Sequence, residues 1–177
     1  MADNDNQAFK TGDFVVYPAH GVGKIEGVLT QKIGGMEVTL YDISFEKDRL
    51  RLKVPLFKAK EAGLRKVASR NKLDTALETL GGRSRVRKIM WSRRAQEYET
   101  KINSGDPVLI AEVLRDLKRD DEDSEQSYSE RQIYDSALER LAREVAASRK
   151  VTEKTAISTI EKSMGITSSD KDEKVAA

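Results

Sequence analysis

The sequence has no cysteine, one histidine, one tryptophan and three prolines among 177 residues. Without cysteine there can be no disulfide framework, no thiolate ligand and no thiol nucleophile, and a reducing compartment is the natural setting. A single histidine, His20, supplies too few ligands for a zinc centre and no Ser–His or Cys–His pair. It precedes Gly21 in a glycine-punctuated bend, where a turn or packing role outweighs catalysis. The glycine spacings match neither a P-loop nor a dinucleotide fingerprint. No apolar run approaches a membrane span, and the opening MADNDNQAFK is polar and acidic, without the apolar core of a signal peptide. The expectation is a cytoplasmic protein, not an enzyme, with no cofactor, no metal and no membrane contact.

What the chain does have is charge. Charged residues make up 35% of it, apolar residues 38%, and the net charge of +2 conceals strong local segregation. From Arg83 to Arg94 (RSRVRKIMWSRR), six cations, Arg83, Arg85, Arg87, Lys88, Arg93 and Arg94, stand together with no acid between them. Such a cluster can neutralise nucleic-acid phosphates, and a flat aromatic beside it can stack on a base or wedge into a base step. The only tryptophan, Trp91, lies inside this cluster. Two readings of Trp91 compete. Trp91, Ala95, Tyr98 and Ile102 fall at helical spacing, as a core stripe would. Ser92 as an N-cap would instead leave Trp91 at an exposed corner. The acidic run DDEDSE, from Asp120 to Glu125, reads as a solvated loop.

Period separates two regions. From Phe9 to about Pro55 the chain reads as short strands: FVVYP, HGVGKIEGVLTQKI, then MEVTLYDISF after a Gly34-Gly35 hairpin turn. Past the turn EKDR, Leu50, Leu52 and Val54 alternate with Arg51 and Lys53. Such strands suggest a strongly bent sheet or half-barrel of SH3 or Tudor type, with an edge at which a partner could add a strand. Pro55 opens a helical turn that Gly63 ends. From about Ser69 the spacing becomes helical. Leu73, Ala76, Leu77 and Leu80 form one stripe, closed by Gly81-Gly82. A helix to about Asn103 stops at Ser104-Gly105-Asp106-Pro107, and Ile110, Val113, Leu114 and Leu117 mark the next. Ser129 to Gln132 reads as a capping box for a long helix, and a last helix covers Thr152 to Met164. The fold expected is α+β, a small Tudor-like β domain over 9–62 followed by a compact all-helical domain over 63–166. Residues 1–8 and 167–177 are expected to be disordered.

FKTGDFVVYPAHGVGKIEGV resembles the opening of the CarD/CdnL transcription regulators, shared with the polymerase-interacting module of the transcription-repair coupling factor. MWSRR at Met90–Arg94, the break SGDP and EVLRDLKRD at Glu112–Asp120 resemble that family's helical domain in order and spacing. The short, CdnL-type members are the nearer likeness. The resemblance implies a β domain that binds the β subunit of bacterial RNA polymerase. It also implies a helical domain that meets promoter DNA in the minor groove at the upstream fork of the transcription bubble. The family's exposed tryptophan wedge falls on Trp91, with neighbouring arginines on Arg93 and Arg94. Arg83, Arg85, Arg87 and Lys88 complete the candidate DNA-binding set. One polymerase-contacting arginine falls on Lys53, which keeps the charge and loses the planar fork. A second falls at about Gln31, beside Lys32. The candidate polymerase-binding set is therefore Gln31, Lys32 and Ile33 with Arg51, Lys53, Val54 and Pro55. A free-standing, sequence-independent nucleic-acid-binding protein is the alternative. The protein is expected to be a monomer. Its terminal Ala176 and Ala177 resemble the ends read by AAA+ proteases such as ClpXP.

Overall fold

The computed structural model describes residues 9–118 and 126–166. The expected disordered segments 1–8 and 167–177, the acidic run at 120–125, and Ala176 and Ala177 lie outside the described residues. The architecture is α+β: an antiparallel sheet of Tudor/SH3 type, then a compact helical unit, with the chain dividing between Val67 and Ala68.

β-branched and aromatic residues form β1 (Phe14–Tyr17), β2 (Gly21–Ile33), β3 (Met36–Phe45) and β4 (Leu50–Pro55), with a short β5 (Arg65–Lys66). Their order is β4-β3-β2-β1-β5. Gly34 and Gly35 both take positive φ, +59° and +82°, as a primed hairpin turn requires. β2 bends where its register with β3 shifts between Ile25 and Gly27, a bulge that helps a long strand curl. A Cβ on Gly23 would stand 2.7 Å from Phe45 Cε1 and 2.8 Å from Ile43 Cγ2, so glycine lets β2 lie close beneath those side chains. Tyr41, Ile43, Phe45 and Val54 are buried in one core with Phe9, Val15, Ile25, Ala59 and Leu64, and Leu50 and Leu52 pack against it. His20 stacks on Tyr17 (centroids 5.6 Å apart) and lies 5.5 Å from Phe45, a packing role.

The first compact unit ends at Val67. Arg65 and Lys66 pair with Val16 and Val15, and two residues are too few to show a strand's alternation.

The helical unit follows the apolar stripes. α1 (Leu56–Ala59) is a single turn belonging to the first unit. Then come α2 (Arg70–Leu80), α3 (Trp91–Asn103), α4 (Pro107–Leu117), α5 (Tyr128–Arg149) and α6 (Glu153–Ser163). Ser69, Asp106 and Thr152 each accept a first-turn N–H, from Lys72, Val108 and Thr155. Between α3 and α4, Gly105 at φ +72° breaks the first helix, and Pro107 occupies the first position of the second. The capping box of α5 starts at Ser127 instead of Ser129: its Oγ accepts from Glu130 N at 3.2 Å, and Glu130 stands at the third helical position.

Leu73, Leu80, Ile102, Leu114, Leu141, Val145 and Ile160 meet in one core, where truncating a leucine costs about 2–5 kcal/mol. At the entrance to this unit, buried Glu144 accepts from Ala68 N (2.9 Å) and Ser148 Oγ donates to Ala68 O (3.0 Å). Both backbone groups of Ala68 are thus held by α5.

Tyr134, on α5, donates to Met164 Sδ at 3.9 Å. Burial, with Glu161 and Asp135 nearby, pushes its phenol up to about 12 from 10.0. The neutral phenol therefore contributes stability in full below pH 10.0, lost as pH climbs through about 12. A difference titration of unfolding free energy, wild type minus Tyr134→Phe, should fall by roughly 2–3 kcal/mol across that window. A flat difference would refute the shift.

Candidate nucleic-acid interface and the outer face of the sheet

Residues 83–90 form an irregular, mostly exposed connection from α2 to the head of α3. Arg83, Arg85, Arg87, Lys88 and Arg93 are exposed, whereas Trp91 and Arg94 are half-buried. Arg87 pairs with Glu97 at 3.3 Å. Among the described residues, the side chains of Arg83, Arg85, Lys88 and Arg93 have no ion pair. One buried carboxylate positions this segment. Asp116 on α4, 9% exposed, accepts from Arg85 N at 2.9 Å and from Arg115 Nε at 3.0 Å.

α3 begins at Trp91, and its N-cap is Met90, which makes no side-chain capping bond. Ser92 is therefore not the cap. The first turn contains no acid but carries Arg93 and Arg94, cations at the positive end of the helix dipole. Each such placement costs about 0.3–1 kcal/mol, and an anion bound at the helix head would offset it.

Trp91 and Ala95 pack against the helical core, and Tyr98 and Ile102 are buried within it, so the helical stripe is real. The indole is half-buried rather than standing free at an exposed corner, because its ring leans toward Tyr98 (centroids 6.3 Å, 51°). The apolar side chains most open to solvent here are Met90, 78% exposed, and Val86, 46%. Sequence reasoning missed Met90 as a surface feature and Asp116 as an anchor. A signal for Asp116 existed, since it sits between Val113, Leu114 and Leu117, where a carboxylate needs donors.

In the β unit, strand register assigns faces. Gln31 opposes Val38, Ile33 opposes Met36, Lys53 opposes Asp42, Arg51 opposes Ser44 and Pro55 opposes Leu40. By alternation, Gln31, Ile33, Arg51, Lys53 and Pro55 share the face turned away from the core. Lys32 points to the other side, opposite Glu37. Val54 is 7% exposed and belongs to the core, so its side chain is not available as a contact. Arg51 Nε and Nη2 donate to Asp42, whose hydrogen bond and charge raise the Arg51 pKa above its ordinary value. With that fork occupied, Lys53 is the cation of β4 without an ion pair among the described residues. β4 is also an edge strand, with one side of its backbone unpaired by the sheet.

Two domain families match this chain. That described as "CarD-like/TRCF RID domain" matches residues 9–68, and that described as "CarD, C-terminal domain" matches residues 75–161. The chain belongs to the CarD family. A CarD-family sheet carries the first match and the helices α2 to α6 carry most of the second. The chain is also 28% identical over 146 residues to "Putative transcription factor YdeB" of Bacillus subtilis (strain 168), an alignment covering 82% of this chain and 95% of that protein. Among the described residues of this CarD-family chain, no helix is long and apolar enough to cross a membrane.

Asp116 gives opposing expectations for charge and for position. Asp116→Ala deletes an acid near the basic segment, which by charge alone should tighten DNA binding. Loss of the anchor should instead lower unfolding free energy by about 1–3 kcal/mol and weaken binding. Asp116→Asn keeps an acceptor and should fall between. Tighter binding by Asp116→Ala in a fluorescence-anisotropy titration would remove the positioning role.

Proposed function

We propose that this transcription regulator binds the RNA polymerase β subunit through the outer face and β4 edge of its sheet, and stabilises the promoter open complex through the head of α3. The observation that carries this reading is the convergence of Trp91, exposed Met90 and Arg83, Arg85, Lys88 and Arg93 around one uncapped helix start, in a chain of the CarD family. The open promoter has an unstacked base step at its upstream fork. An apolar wedge entering there favours the open state over the closed one, and arginines beside it hold phosphates without reading bases. Met90 and the accessible part of Trp91 supply the wedge. The sheet supplies proximity: once it is tethered to polymerase, weak DNA contacts act at high effective concentration. The result is slower bubble collapse, most useful at promoters whose open complexes are short-lived.

The polymerase side rests on Lys53, Gln31, Ile33 and Pro55 sharing one face, with Lys53 as a cation not neutralised internally. The backbone of β4 adds the possibility of strand pairing, which depends little on side chains.

Trp91→Ala tests the DNA arm. Because the indole is half-buried, the change should cost about 1–2 kcal/mol of stability, less than a core aromatic. Affinity for isolated β subunit should be unchanged, while open-complex lifetime falls roughly fivefold or more, as loss of a kcal/mol or so requires. Unchanged lifetime with a folded variant would reject the wedge.

Lys53→Glu tests the polymerase arm. It should weaken β-subunit binding by reversing a rim charge, leave the melting temperature within about a degree or two, and lower the salt dependence of what binding remains, because less attraction is left to screen. Full affinity would move the interface off this face, and retention of DNA binding without any polymerase binding by wild type would favour a free-standing nucleic-acid binder.

A further inference from the structure

Arg93 and Arg94 are neighbours in sequence, and helix geometry sends them in different directions. Arg93 is exposed and has no ion pair among the described residues. Arg94 lies along α3 against both the Trp91 and Tyr98 rings, at the third corner of a triangle with them. Its guanidinium carbon is 5.4 Å from the centroid of Trp91 and 5.6 Å from that of Tyr98. Its Nη2 donates to Tyr98 Oη at 3.1 Å. Its Nε is buried and has no hydrogen-bond partner. An orphaned N–H in that position is unfavourable, and the guanidinium stays there because both aromatic faces attract it.

We infer that Arg94 is a positioning residue for Trp91, holding the indole at the head of α3 rather than gripping a phosphate. A guanidinium binds phosphate best through a free edge that presents two N–H groups together. In Arg94 the edge containing Nε is shielded, and Nη2 is engaged by Tyr98. Leaving the rings to reach a phosphate would cost both cation–π contacts. Tyr98 is 5% exposed and part of the helical core, so the triangle of Trp91, Arg94 and Tyr98 is anchored at Tyr98. The indole is thereby restricted before it meets any ligand, and less conformational freedom is lost on binding. The consequence for DNA rests on the function proposed above; the bracing itself does not.

The chain has one tryptophan, so its intrinsic emission reports on this residue alone. In the full-length protein, Arg94→Ala should shift that emission to the red and increase quenching by acrylamide, with helical circular dichroism unchanged. Arg94→Lys keeps the charge but not the planar group and should shift in the same direction. Arg93→Ala should leave the emission where it is. On a forked duplex with an unpaired step, Arg93→Ala should lower the slope of log affinity against log salt by about 1, as loss of one phosphate contact does. Arg94→Ala should lower affinity roughly two- to tenfold at every salt concentration and leave the slope unchanged. If Arg94→Ala does not fold, Arg94→Lys carries both measurements. Unaltered emission in the Arg94 variants, or a slope change equal to that of Arg93→Ala, would overturn the inference. Failure of the wild type to bind the forked duplex would count against the proposed function, while the emission of the free protein would still decide the brace.

Discussion

The basic segment is useful only if it is held, and one backbone hydrogen bond ties it to the helical core. Residues 83–90 have neither helical nor sheet bonding along their length, and cations in sequence repel one another. Left alone, such a segment would spread over many conformations. The Asp116 carboxylate fixes it at Arg85 by accepting a backbone N–H, so the anchor does not consume the Arg85 side chain. Arg115 satisfies the same carboxylate from within α4, which keeps the buried charge compensated. A structural acid thus organises a surface of opposite sign.

That arrangement leaves electrostatic tension at the head of α3. The first turn lacks an acid, lacks a capping side chain and carries two arginines. A helix selected only for stability would place serine or aspartate at Met90 and an acid in the first turn. Within the helical unit α3 departs from the rule that α2, α4, α5 and α6 obey, since Ser69, Asp106, Ser127 and Thr152 all cap their helices. Departures of this kind concentrate where function competes with folding. The outer face of the sheet shows a milder version, with exposed Ile33 and Met36 at the hairpin end where polar residues would suit water better.

Most of the fold was legible because its signals are local. The Gly34-Gly35 turn, the alternation at Leu50–Val54, and the stop and restart at Gly105–Pro107 each follow from single-residue preferences. β5 was invisible because its two residues carry no period of their own and exist by pairing with β1. The shift of the α5 cap to Ser127 was missed because two serines offer the same chemistry two residues apart. For the candidate site, the cations could be read directly, but their roles could not. Exposure separates Arg93 from Arg94, register separates Gln31 from Lys32, and an internal ion pair separates Arg51 from Lys53. The first depends on Tyr98, one turn along the same helix, and the other two on Val38 and Asp42 of a neighbouring strand. Buried Asp42, Asp116 and Glu144 look in the sequence like ordinary solvated acids, and only tertiary packing gives them donors.

The clamp on Ala68 has a mechanical meaning. A chain that tethers one body to another transmits load through the residue where it joins, and a helix end loaded directly tends to fray. Here the N–H and C=O of Ala68 are tied by Glu144 and Ser148 to the last two turns of α5, the longest helix among the described residues, two residues before α2 starts at Arg70. Tension arriving through Val67 would therefore be shared with α5, whose Leu141 and Val145 are locked in the core, before it reaches the first turn of α2. Such a joint would act as a strain relief for the start of the helical unit.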